Sequence, residues 1–309
     1  MKTVVLSDFG RPARLELVEV ERPRPRKNEL LIRIHATTVT SGDVILRNLP
    51  LPIRIGMRLA LGRSRILGHE LAGEVEAVGG EVTRFRQGDE VFASTGYAGG
   101  AYAEFICLPE TVTVALKPAN LRYEEAAAVP VGGLTALHFL KKAAIQPGQS
   151  VLIFGASGSV GSYAVQLARD FGARVSAVCS TANLEWVKAL GADRVIDYSC
   201  EDFSRRGETY DVVFDAVGKA SVSQCQRALK TKGTYISVKS PSSEEAEGLN
   251  FLKGLIEAGR LKPVIDRRYP LEQVAKAHEY VGRGHKKGNV VLVVGHPDIP
   301  SPDFYLVGI

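Results

Sequence analysis

The sequence predicts an α/β protein: a doubly wound parallel sheet inserted in a β-rich domain that both ends of the chain build. Three observations predict it. Residues 151–161 read Val-Leu-Ile-Phe-Gly-Ala-Ser-Gly-Ser-Val-Gly and run straight into a helix start. From 150 to 238, apolar strands alternate with short helices. The first hundred or so residues, and those after 263, show Val- and Ile-rich alternation between Gly, Pro and Asp turns. The boundaries fall at 1–118 plus 264–309 for the β-rich part and 119–263 for the inserted part.

In order, short strands are predicted at 2–6, 14–19, 29–36, 71–78, 90–93 and 102–108, with 82–89 a turn-bearing link. Past Pro118 the spacing becomes helical, at 123–128 and 132–142. The alternation then runs: strand 150–154, helix 160–171, strand 174–179, helix 184–190, strands 194–196 and 212–214, helix 221–230, strand 235–238. Right-handed crossovers fix its winding. A helix at 250–257, another from 269–271 through 281, and a strand at 289–294 follow. A cleft between two such domains is a usual ligand site.

Composition narrows the function. With 45% hydrophobic and 24% charged residues, 309 residues fill one large or two medium cores. No apolar run reaches the ~18 residues of a membrane helix. Residues 1–10 hold too short an apolar stretch for a signal peptide, so a cytoplasmic location is expected. Cys107, Cys179, Cys200 and Cys225 form no C-x-x-C pair and fit no zinc ribbon; they read as small hydrophobes. The net charge of +5 is too mild and scattered for nucleic acid. The densest basic stretch holds Arg54, Arg58, Arg63 and Arg65 among Leu, Ile and Met. A solvated loop or helix face is expected there; a surface meeting membrane or a lipophilic substrate is the minority reading.

The turn after strand 150–154 carries the chemistry. Its spacing is Ala156-x-Gly158-x-x-Gly161, with alanine where the dinucleotide fingerprint usually has its first glycine. Gly158 lets the backbone approach a pyrophosphate, and Gly161 lets helix and strand pack closely. The helix N-terminus favours the anion. The bland reading is a tight βα turn with no ligand.

With these landmarks, further motifs stand out: Leu67-Gly-His-Glu-Leu-Ala-Gly-Glu-Val-Glu-Ala-Val-Gly79, Gly88-Asp-Glu-Val-Phe92, Gly100-Ala-Tyr-Ala-Glu-Phe105, Ala126-Ala-Ala-Val-Pro130, Leu134-Thr-Ala-Leu137, Leu190-Gly-Ala-Asp193, Val195-Ile-Asp-Tyr198 and Tyr210-Asp-Val-Val-Phe-Asp-Ala-Val-Gly218. Together with the glycine turn, the chain resembles the medium-chain dehydrogenase/reductase superfamily, best its zinc-free quinone oxidoreductase-like branch. The resemblance implies a Rossmann-type sheet inserted in a GroES-like domain. It implies cofactor contacts from Ala156, Ser157, Gly158, Val160 and Gly161, from Thr135, and from Ala216 and Val217.

The zinc-dependent branch needs two cysteines where this chain has Thr40 and Val131. A neutral hydroxyl and a valine cannot replace two thiolates, so no metal is expected. His69 and Glu70 remain; His69 reads either as a cleft or core histidine or as a proton donor. Past strand 174–179 no carboxylate occurs until Glu185, so nothing repels a 2′-phosphate. Ser180, Asn183, Lys188 and Tyr198 are expected around that phosphate by resemblance, so NADPH is favoured over NADH. Relatives often carry a basic residue where Ala182 stands.

The resemblance also places Thr40, Ser41 and Asp43 on the substrate side. Relatives' tyrosine shortly after the aspartate is absent, so proton delivery falls to Ser41, Thr40, His69 or water, or needs no dedicated residue. Tyr102 reads as core. Without a Lewis acid, a conjugated acceptor is favoured: a quinone or an α,β-unsaturated carbonyl, small and lipophilic. The alternatives are a zinc-type alcohol dehydrogenase, which the ligand count opposes, and a non-catalytic NADP-binding protein. Finally, a βα unit that relatives carry after the strand at 235–238 is missing, so the usual sheet-continuing dimer is not expected.

Overall fold

The computed structural model describes residues 1–6, 12–61 and 65–296. Arg63 of the basic stretch and the tail from 297 onward lie outside the described residues. In chain order the elements are β1 (Lys2–Leu6), β2 (Leu15–Glu19), β3 (Glu29–Thr38), α1 (Ser41–Asn48), α2 (Leu51–Leu61), β4 (Glu70–Val78), β5 (Glu90–Ser94), β6 (Phe105–Pro109) and β7 (Val114–Leu116). Then come α3 (Tyr123–Ala127), α4 (Pro130–Lys142), β8 (Ser150–Phe154), α5 (Ser159–Asp170), β9 (Arg174–Cys179), α6 (Leu184–Ala189), β10 (Arg194–Asp197), β11 (Tyr210–Asp215), α7 (Val222–Arg227) and β12 (Leu229–Ser237). The chain closes with α8 (Ala246–Glu257), β13 (Ile265–Pro270), α9 (Val274–Gly282) and β14 (Asn289–Val293).

The fold is a GroES-like β domain carrying a Rossmann-type parallel sheet. The inserted sheet is all parallel, in the order β10-β9-β8-β11-β12. The strand order reverses between β8 and β11, which puts a ligand crevice at their carboxyl ends. Helices cover both faces, so the strands are apolar throughout. Val151, Ile153 and Phe214 face the α4 and α5 side with Phe139 and Tyr163. Leu152, Val178, Ile196 and Val213 face the other side with Phe203 and Cys225.

The seven-stranded sheet runs β13-β14-β3-β4-β5-β7, with β6 also on β3. Its central strand β3 alternates apolar and polar residues around Leu30, Ile32 and Ile34, all fully buried. β14 returns from the far end of the chain to pair Val291 with Thr38. Both termini of the inserted domain thus feed one sheet.

Several elements differ from expectation. Residues 41–48 form a helix because Thr40 and Asp43 make a reciprocal capping box, a signal at residue spacing three. Strand 102–108 starts only at Phe105: the positive-φ Gly99 and Gly100 turn the chain, and Tyr102 drops into the core. β7 is three residues long and β13 carries two arginines and a proline, too little pattern to read. β12 begins at Leu229 and shortens the helix expected at 221–230 to α7. Arg54 and Arg58 of the basic stretch fall on α2, where Arg54 is buried rather than solvated.

α5 lies unusually close to β8. A methyl on Gly161 would stand 2.1 Å from the Gly155 carbonyl oxygen and 2.8 Å from Ala156 Cα. Backbone cannot yield that distance, so helix and turn must separate. Gly161→Ala is expected to lower stability by about 1–3 kcal/mol through overpacking. A thermal melt of the purified variant checks it; an unchanged midpoint would contradict the close approach.

Candidate active site

The crevice is walled on one side by the β8–α5 turn. Gly155 holds φ +79, and a side chain there would collide with Val217 at 2.5 Å. The residue that needs glycine for the tight turn is therefore Gly155. This is why alanine is tolerated at 156, where the side chain is fully buried. Gly158 caps α5 with no side-chain bond, so the first N–H groups of the helix are not capped from within. A Cβ on Gly158 would meet the Gly155 carbonyl oxygen at 3.5 Å and Val217 Cγ1 at 3.8 Å, in contact without a clash. These are the features of a pyrophosphate cradle, and the residues present fit a dinucleotide. Ser157 and Val160 lie on the same turn, half-buried.

Val217 and Ala216 follow β11 and pack against this turn; Asp215 holds their loop by accepting from Val217 N at 3.2 Å and Gly218 N at 2.8 Å. The turn is also tied to the C-terminal return. Gly288 N donates to the Ser157 carbonyl at 2.9 Å, and Ser159 Oγ donates to Asn289 Oδ1 at 2.5 Å. No sequence signal pointed to residues 286–289.

At the end of β9, Ser180 is half-buried and lies beside Tyr198 at the end of the neighbouring strand β10, which is 52% exposed. The structure brings these two together. Asn183 is buried and already committed, donating to Ser180 Oγ at 2.9 Å and accepting from Trp186 Nε1 at 2.9 Å. It positions Ser180 rather than presenting a free amide. Lys188 is not brought to this place. It sits in the last turn of α6, in a recess with Glu185, Asp193 and Arg194 at the opposite end of the strands.

The opposing wall is a cluster around Asp43, which is fully buried. Asp43 Oδ2 accepts from Thr40 N at 2.9 Å and Thr40 Oγ1 at 2.7 Å; Oδ1 accepts from Gly68 N at 3.0 Å and lies 3.0 Å from His69 Nδ1. Burial opposes its ionisation. The charge and hydrogen bond of His69, with the Thr40 hydroxyl, outweigh burial and hold the carboxyl well below the usual range. Asp43 is thus the fixed anion that orients His69. Ser41, the first residue of α1, is exposed beside this cluster. Tyr102 donates to or accepts from His278 at 3.1 Å inside the core, which matches its packing role.

Glu70 follows His69 and is 1% exposed. It accepts from the Thr38 hydroxyl and from Val131 N at 2.7 Å, at the start of α4, the helix that carries buried Thr135. Burial pushes its carboxyl up to about 7, against the two hydrogen bonds. Val131 therefore gives its backbone N–H to Glu70. Among the described residues no group of three or more His, Cys, Asp or Glu is arranged to hold a metal ion. Cys179 and Cys225 are buried and Cys107 is half-buried; burial raises all three thiols to about 11. Cys200 alone of the four is exposed.

A parallel sheet with a glycine cradle, facing a β domain with an Asp–His pair, defines a two-domain nicotinamide-dependent oxidoreductase. Family models agree: residues 26–118 match the alcohol dehydrogenase GroES-like domain, and 159–260 and 240–292 match zinc-binding dehydrogenase models. The chain is 34% identical over 320 aligned positions to a chloroplast envelope quinone oxidoreductase homolog of Arabidopsis thaliana, covering 92% of this chain and 95% of that one. It is 32% identical to the NADPH-dependent alkenal/one oxidoreductase, chloroplastic, of the same plant, over 94% of this chain and 79% of that one. The quinone oxidoreductase of Coxiella burnetii superposes with TM-score 0.86 at 30% identity, over 96% of this chain and 99% of the other. The chain belongs to the medium-chain dehydrogenase/reductase superfamily, in its quinone oxidoreductase-like branch. No described helix is long and apolar enough to cross a membrane.

Glu70 gives a pH-dependent stability. Its folded value of about 7 lies above the ordinary 4.5. Its stabilising contribution is complete below pH 4.5 and is lost as the pH rises through 7. Glu70→Gln should therefore gain stability relative to wild type between pH 5 and pH 8, by on the order of 1–3 kcal/mol. Denaturant titrations at the two pH values check this; a constant difference would contradict it.

Proposed function

We propose that this chain is an NADPH-dependent reductase of quinones and α,β-unsaturated carbonyls that works without a metal. The observations that carry it are the glycine turn at the start of α5 and the Thr40–Asp43–His69 cluster, whose neighbour Glu70 is bonded to Val131 N at the start of α4. The names of the relatives support the acceptor class.

Residues 155–161, with Thr135, Ala216 and Val217, would hold the cofactor, which when bound would supply hydride from its nicotinamide ring. Ser180 and Tyr198 lie side by side just past β9 and β10, and no carboxylate follows β9 before Glu185. That supports NADPH over NADH. The donor set does not suit zinc: the Thr40 hydroxyl is spent on Asp43, and the Val131 side chain has no ligating atom, so the two thiolates have no replacement.

The chain's own residues then orient, dry and protonate. Asp43 fixes His69 against the β domain, and Thr40 and Gly68 fix Asp43. A protonated His69 stabilised by Asp43 can deliver a proton to the reduced acceptor. An enone needs that proton on carbon. A quinone delocalises the incoming charge onto oxygen and needs it less. Ser41 is exposed at the mouth and can bond an acceptor carbonyl.

Two measurements test this. Calorimetry should show NADPH binding at least about tenfold tighter than NADH, with Ser180→Asp reversing the order by charge repulsion. His69→Gln should lower kcat on a conjugated enone about 10²-fold and on 1,4-naphthoquinone far less. Equal losses on both acceptors would remove His69 from proton delivery, and binding without turnover of any acceptor would overturn the catalytic reading.

A further inference from the structure

Between β12 and α8 the chain crosses the cleft. Residues 239–245 form this short crossing segment. The segment is fastened on both banks. On the nucleotide side, Ser243 Oγ lies 3.0 Å from His138 Nδ1 of α4. On the β-domain side, Thr113 Oγ1 donates to the Glu244 carbonyl at 2.8 Å, and Ser94 Oγ at the end of β5 donates to the Glu244 carboxylate. The same Ser94 hydroxyl is 3.3 Å from the His69 carbonyl oxygen.

The strap therefore puts a carboxylate next to the site. Thr113 already holds the strap by its backbone, so a neutral side chain would serve for fastening alone. The half-buried carboxylate instead carries a desolvation cost, which raises its pKa; the Ser94 bond and the His69 charge offset part of it. The other two carboxylates here are fully buried and held by protein partners, Asp43 by Thr40, Gly68 and His69 and Glu70 by Thr38 and Val131. Asp43 is paired with His69 and fully buried, and Glu70 is buried with its carboxyl raised to about 7. Neither the glycine turn nor the Asp43–His69 pair uses Glu244.

We propose that Glu244 is a specificity-determining residue, a negative charge on the acceptor side of the cleft that favours uncharged over anionic acceptors. This rests on the reductase reading above. Its contribution is repulsion across a partly dry gap, where unit charges act more strongly than in water. It does not alter the chemistry of a neutral quinone; it changes which quinones reach His69.

The test is a ratio. kcat/KM is measured for 1,4-naphthoquinone and for 1,4-naphthoquinone-2-sulfonate with saturating NADPH at pH 8. Wild type is compared with Glu244→Gln, Glu244→Ala and Glu244→Asp, each checked by thermal melt. The two neutral variants should raise the sulfonate-to-neutral ratio by about tenfold, and the aspartate should keep it near wild type. A ratio within twofold of wild type in the neutral variants, or an equal shift in the aspartate, overturns the charge role. Wild type that oxidises NADPH with neither quinone overturns the reductase reading and this inference with it. Turnover of the neutral quinone with an unmoved ratio sinks only the inference.

Discussion

The structure depends on one close approach, that of α5 to the β8 turn. Gly161 removes the side chain that would collide with the Gly155 carbonyl, and Gly155 removes the one that would collide with Val217. Only with both absent can the helix N-terminus point along the sheet into the crevice. Everything that reads a dinucleotide follows from that contact. The fully buried Tyr163 then locks the helix to the preceding segment, donating to the Ala128 carbonyl at 2.9 Å. The Ser159–Asn289 and Gly288–Ser157 bonds carry the same placement into the β domain.

On the facing wall the governing term is the competition between desolvation and pairing. Asp43 and Glu70 are both buried, yet they settle on opposite sides of the ordinary carboxylate range. Asp43 has His69 at 3.0 Å and three further donors, so ionisation wins. Glu70 has two neutral donors, so burial wins. Neighbouring carboxylates thus take different tasks: one holds a histidine as a fixed anion, the other joins α4 to β4 through a buried, titratable carboxyl.

Much of the inserted domain was legible because a parallel sheet covered on both faces leaves long apolar runs, and a glycine turn before a helix is a local signal. The family motifs around His69 and Tyr210 named the fold with little ambiguity. Other features were hidden for physical reasons. The role of Gly155 was read into Ala156, since the fingerprint counts spacing while φ decides which residue bears the strain. Lys188 was grouped with Ser180 by nearness in sequence, but one helix run carries it to the other end of the sheet. Asn183 was expected to face a phosphate and instead spends both polar atoms on Ser180 and Trp186. Contacts made by residues 243–244 and 286–289 join points far apart in the chain, which no periodicity reveals.

The shared sheet sets an order of assembly. β3 lies near the start of the chain, and its partner β14 lies near the end. All five strands of the inserted sheet lie between them. As the polypeptide leaves the ribosome, the nucleotide half has every strand it needs before β14 exists. The β half must wait with the Ala36–Thr38 end of its longest strand lacking its β14 partner. Newly made chains are therefore most vulnerable to wrong strand pairing in that interval, and the last strand to emerge is the one that ends it.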